Sequence, residues 1–176
     1  MKSNNRLIIP FKGLKIGTHT FVFDIDDKFF GDFQQSEINK GKVHVVVNLE
    51  KQSSMLQLEF VLQGTVFVAC DRCLDDLDLH IDYNTNLFIK FAEQTEEQTE
   101  EILVLSYAEH ELDVSQYVYE YAHLSLPYKR MHPDKENGES TCNKDMLKKL
   151  EEYLLPEKDE TTDPRWNNLK DLMNNN

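Results

Sequence analysis

The sequence predicts an α+β protein, with an antiparallel, strongly bent β-sheet or partial barrel in the first two-thirds followed by two or three short C-terminal helices. Three observations predict it. Apolar residues tend to alternate from the start to about residue 92, and the apolar spacing changes to three and four after Asp113. The 176 residues, 40% hydrophobic and 29% charged, supply enough apolar material for one core. A single domain is expected over 1–176, sheet-rich through 106, helical over 107–173 and frayed at 174–176.

The strands follow in order. Phe21, Phe23 and Ile25 fall two apart and mark the first long run. A short helix is expected over residues 26–33, because Asp26 and Asp27 suit the positive end of a helix dipole. Val43, Val45, Val47 and Leu49 form the next run, and Leu56, Leu58, Phe60 and Leu62 the one after. Gln63 and Gly64 interrupt it before Val66 and Val68 resume, which predicts a bulge or bend instead of a chain reversal. Leu77, Leu79, Ile81 and Tyr83 supply a further strand that extends through Leu87 and Ile89. The Gln/Thr/Glu run from Glu93 to Glu101 reads as a solvated loop, with a short strand returning at Ile102 to Leu105.

Helical spacing begins at Asp113. Asp113 with Gln116 three residues on predicts a capping box, followed by Val114, Tyr117, Val118, Tyr121 and Leu124 on one face and a stop at Pro127. Asn143 caps a second expected helix through Leu147, Leu150 and Leu154, closed by Pro156. Asp163-Pro164 offers a third start, with Trp166, Leu169 and Met173 on one side.

Charge narrows the function classes. Nineteen basic against 32 acidic residues leave a net charge of −13. That field repels a phosphate backbone, which excludes a generic polyanion binder and confines any RNA contact to a local patch. Between Lys90 and Lys129 there is no Lys or Arg, so the negative charge is concentrated. Lys2, Arg6, Lys12 and Lys15 occupy a first stretch without acids, and Lys129, Arg130 and Lys135 gather later. Both clusters are candidate RNA or partner contacts, Lys12, Lys15, Lys129 and Arg130 above all, set against ordinary solvated side chains. Leu7 to Ile9 is too short an apolar group for a signal-peptide core or a membrane span, so the expected location is the cytoplasm.

Three cysteines, two of them in Cys70-Asp71-Arg72-Cys73, make a disulfide framework a poor reading. Two thiols separated by two residues can grip one tetrahedral ion from a tight turn. The pair sits between the strand ending at Val68 and the one beginning near Leu77, and His132 and Cys142 supply two further ligands from a polar loop. On residue types alone a Cys3His zinc site, a redox pair and three free buried cysteines all remain open. Thioredoxin-like chemistry wants the pair at a helix N-terminus, and Asp71, Asp75 and Asp76 disfavour thiolate unless a metal neutralises it.

Cys70-Asp71-Arg72-Cys73-Leu74, the stretch from Leu112-Asp113-Val114 through Glu120 to Leu124-Ser125-Leu126-Pro127, the cysteine-bearing loop, and Asp163-Pro164-Arg165-Trp166 with Leu169 occur in that order. The order resembles the YceD family of large ribosomal RNA subunit accumulation proteins, over about residues 15–173. The resemblance implies a bacterial or plastid protein linked to accumulation or processing of large-subunit rRNA, without established catalytic residues. Many members carry cysteines on both sides of the late loop, whereas His132 stands at the first of those positions here. Imidazole can replace thiolate on zinc, so the site survives the departure. Glu120 lies off the apolar stripe, so exposure is expected, with a docking contact or a hydrogen bond to the His132 loop as the alternative.

Catalytic signatures are missing: there is no Gly-x-Gly-x-x-Gly, Walker-type lysine motif, Gly-x-Ser-x-Gly or His-Glu-x-x-His. The leading expectation is a non-catalytic ribosome-biogenesis factor that acts through a ribosomal or assembly-protein partner docked on acidic surface. The alternatives are a thiol or metal enzyme centred on Cys70 and Cys73, and an interaction adaptor unrelated to ribosomes.

Overall fold

The structure is a computed structural model that describes residues 6–34, 36–93, 96–99 (backbone) and 102–154. Residues 1–141 form one compact unit and 142–176 a second. The third helix expected from Asp163, the stop at Pro156 and the tail at 174–176 lie outside the described residues.

In the first unit the elements run β1 (Ile8–Ile9), β2 (Gly17–Ile25), α1 (Asp27–Gly31), β3 (Lys40–Lys51), β4 (Met55–Ala69), β5 (Asp76–Ala92), β6 (Glu96–Thr99), β7 (Ile102–Ser106), β8 (Leu112–Asp113) and α2 (Ser115–Leu124). Among the described residues six strands make one open sheet in the order β2-β3-β4-β5-β7-β6, and β1 pairs separately with β8. Neighbours are antiparallel except β5 and β7, which run parallel from Phe88↔Ile102 to Ala92↔Ser106. The fold is α+β and mostly antiparallel, as the alternation predicts.

Period two places the core. Val43, Val45, Val47 and Leu49 of β3, Leu56, Leu58, Phe60, Leu62, Val66 and Val68 of β4, and Leu77, Ile81, Leu87 and Ile89 of β5 are all buried. Helix α2 adds Val118, Tyr121 and Ala122 to this core, with the Tyr121 ring 5.2 Å from Phe60 in edge-on contact. In α1, Asp26 accepts a bond from the Lys28 amide as N-cap, and Phe29 and Phe30 are buried.

Three local expectations are corrected. The chain does not reverse at Gln63-Gly64, as expected, but no bulge forms there: β4 keeps an unbroken register with both neighbours, Gly64 facing Val43 and Ile81. The glycine serves close approach instead, because a Cβ there would lie 2.2 Å from the Lys42 carbonyl oxygen. Residues 96–99, expected in a solvated loop, form the edge strand β6 against β7, since backbone pairing does not require apolar side chains. The Asp113–Gln116 capping box does not form. The Asp113 carboxylate accepts bonds from the Ser115 amide and hydroxyl, so the helix begins at Ser115, and Gln116 donates to Glu120. Asp113 is itself part of β8 and meets Arg6 at 2.6 Å.

The second unit contains α3 (Lys144–Tyr153), whose N-cap Asn143 accepts from the Asp145 and Met146 amides as its position predicts. Leu147 is half-buried, while Leu150 and Leu154 are exposed.

Candidate metal centre

The sheet itself brings the first two cysteines together. β4 and β5 stay paired to Ala69↔Asp76, so residues 70–75 must reverse the chain in one tight turn. The Cys70 amide donates to the Asp75 carbonyl and the Leu74 amide to the Cys70 carbonyl, each at 2.9 Å. Leu74 takes a left-handed conformation at φ 63°, an unfavourable setting for a branched residue that the surrounding bonds impose. Both sulfurs end up buried.

The turn also prepares the first thiol. Burial pushes the Cys70 pKa up, but backbone N–H groups of Cys73, Arg72 and His132 and the Cys73 side chain favour the thiolate more strongly, bringing it to about 6. His132 moves the other way: burial lowers its pKa, yet contacts with Cys70, the Asp76 carbonyl and Cys73 leave it raised. A sulfur held ready to lose its proton is what a metal ligand needs.

The late loop folds back on itself to present the other ligands. Asp134 and Ser140 form a bridge, the Lys135 amide donates to the Glu139 carbonyl at 2.8 Å, and Gly138 supplies φ 81° at the turn. The Thr141 hydroxyl donates to the Pro133 carbonyl at 2.6 Å. His132 Nδ1 lies 3.4 Å from Cys73 Sγ, while Nε2 lies 3.1 Å from the Asp76 carbonyl oxygen. That carbonyl can only accept, so it places a proton on Nε2, and in the neutral ring Nδ1 is the nitrogen that would offer its lone pair to a metal.

The candidate ligand atoms of Cys70, Cys73, His132 and Cys142 all lie within 4.8 Å of one another. Zinc with sulfur at about 2.3 Å and nitrogen at about 2.0 Å in a tetrahedron sets ligand separations of roughly 3.5–3.8 Å, and the 3.4 Å between Cys73 Sγ and His132 Nδ1 falls just short of that range. The donor set, three soft thiols and one imidazole, fits a metal of that class. A redox pair fits less well, because the cysteines join two strands instead of opening a helix and both sulfurs are shielded from a reaction partner.

A family model described as large ribosomal RNA subunit accumulation protein YceD matches residues 58–173. The chain belongs to the YceD family. Curated proteins and solved structures gave no match. The YceD match begins inside β4 and takes in all four candidate ligands, while β2 and β3, part of the wider resemblance, precede it. The family name ties the chain to accumulation of large-subunit rRNA. Among the described residues no helix is long and apolar enough to cross a membrane.

The other residues singled out in this YceD chain are not part of the ligand cluster. Glu120 is exposed and accepts from Gln116 Nε2 at 2.7 Å, a bond within its own helix and not with the His132 loop. Lys12 lies 3.3 Å from His110 Nε2 at the surface, and Lys15 and Lys129 are exposed. Arg130 differs from them: its guanidinium is held by Glu37 and Asp71. Asp71 reads from the sequence only as a charge that disfavours thiolate, and Arg72 carries no role of its own there; their place between the two cysteines is the signal that singles them out.

Proposed function

We propose that this chain is a non-catalytic ribosome-biogenesis factor of the cytoplasm that supports accumulation or processing of large-subunit rRNA through a ribosomal or assembly-protein partner. The observation that carries this reading is the YceD match across residues 58–173, the stretch that contains all four members of the Cys/His cluster. The ligand set is assigned to structural zinc on Cys70, Cys73, His132 and Cys142, a closed four-ligand arrangement that leaves no position for substrate. Zinc, when bound, supplies a cross-link between the β4–β5 turn and the late loop.

Partner chemistry follows from charge. A chain of net charge −13 favours a basic protein over bare RNA, and opposite charge accelerates encounter with such a partner. The exposed lysines Lys12, Lys15 and Lys129 leave room for a small RNA footprint, with Glu120 a candidate protein contact. Arg130, engaged by two carboxylates, is the weakest of these candidates.

Affinity capture from lysate, with and without RNase, tests the reading. Ribosomal or large-subunit assembly proteins should remain bound after RNase. Their complete loss on RNase treatment would contradict a protein-mediated role.

A further inference from the structure

Between the two cysteines stand Asp71 and Arg72, and each reaches a different arm of the late loop. The Asp71 amide donates to the Arg130 carbonyl at 2.7 Å, and the Arg130 amide donates back to Asp71 Oδ2 at 2.7 Å. This reciprocal pair grips the chain two residues before His132. Asp71 Oδ1 also lies 3.5 Å from Arg130 Nε, and Arg130 Nη1 donates to Glu37, which ties the same point to the segment before β3. Arg72 Nη1 donates to Ser140 Oγ at 3.0 Å and lies 3.6 Å from Asp134. Ser140 stands two residues before Cys142, and Asp134 two after His132.

We infer that Asp71 and Arg72 are positioning residues that dock the two arms of the late loop, so that His132 and Cys142 are offered to the metal from a prearranged loop. The inference rests on the zinc reading of this site. Its physical basis is entropy. The loop separates its ligands from Cys73 by 59 residues at the nearest, and a metal that had to gather free arms would bear the whole ordering cost. One backbone bond, one bond from the Arg130 amide to the Asp71 carboxylate, and the Arg72 contacts with Ser140 and Asp134 bear part of that cost before the ion arrives. The charges suit a docking role, since each cation, Arg72 and Arg130, lies beside a carboxylate, and side chains between the cysteines are spared from ligation itself.

The test is a Zn2+ competition titration against a chromogenic chelator, with the visible spectrum of the Co2+ form as a report on the ligands. Asp71→Ala and Arg72→Ala should each weaken Zn2+ binding by about 10–100-fold, the usual effect of removing a group that orients a ligand. Their Co2+ spectra should keep the bands of three thiolate ligands. Asp71→Asn, which still accepts from the Arg130 amide, should recover most of the loss, and Lys129→Ala, an exposed cation next to Arg130, should match the original chain. Unchanged affinity in both alanine variants would overturn the docking role while leaving the metal reading intact. An original chain that binds neither Zn2+ nor Co2+ through thiolates would overturn the metal reading and the inference with it. Should the alanine variants fail to fold, hydrogen exchange on the metal-stripped original chain decides: protected Asp71 and Arg130 amides are expected, and free exchange at both contradicts the inference.

Discussion

Cys73 and His132 approach to 3.4 Å although they lie 59 positions apart, and Asp71, next to Cys70, accepts from the Arg130 amide two residues before His132. The four grouped residues are legible in the sequence as candidate ligands, because Cys-x-x-Cys can grip a metal and His132 and Cys142 carry donor atoms of the same kind, and the structure brings these atoms within 4.8 Å of one another. Asp71 and Arg130 are not legible as a pair. From the sequence Asp71 is a charge that disfavours thiolate and Arg130 a candidate RNA or partner contact, and only the meeting of the β4–β5 turn with the late loop pairs them. Asp113 carries a second residue-scale lesson and a pH prediction. Burial alone raises its pKa, but the Ser115 hydroxyl and amide and the Arg6 guanidinium hold its carboxyl below the usual value. A depressed carboxyl pKa stabilises the fold above the unfolded value and loses that contribution as pH falls through the folded one. Asp113→Ala should therefore cost about 1 kcal/mol near neutral pH, and the gap from the original chain should narrow in acid below the ordinary carboxylate range. Denaturation series across pH measure this, and a gap that widens in acid contradicts the assignment.

Elements were legible to the degree that side-chain pattern determines them. β3, β4 and β5 alternate buried and exposed residues along most of their length, so period two located them. Strand β6 is made of Glu, Gln and Thr and is held through its backbone at a sheet edge, a bond pattern that composition does not encode. Strand β7 buries Leu103, Val104 and Leu105 in succession, so it has no alternation from which its parallel pairing with β5 could be inferred. Gly64 misled for a related reason. A glycine inside a strand signals either a bulge or a close backbone, and only the register distinguishes them. Its Cβ would lie 2.2 Å from the Lys42 carbonyl oxygen and 2.7 Å from the Val43 Cα, both backbone atoms that cannot swing aside. Gly64→Ala should destabilise the protein by about 3 kcal/mol, at the upper end of overpacking costs. Chemical denaturation checks it, and a change below about 0.5 kcal/mol would show that β3 yields without strain.

At the scale of the whole chain, net charge and family membership point to one role. A net charge of −13 in a family named for rRNA accumulation is paradoxical only if the protein must grip RNA directly. The paradox disappears under the proposed role, in which a basic protein partner intervenes. The general class was legible from the order of motifs, whereas the cross-links between the Cys-x-x-Cys turn and the late loop required the folded chain. The most direct measurement is the ratio of large- to small-subunit rRNA in cells depleted of this protein and supplied again with the original chain. The ratio should fall on depletion, with large-subunit precursors or fragments in place of mature rRNA, and return on resupply. A normal ratio with normal precursor and mature large-subunit rRNA after complete depletion would contradict the proposed function.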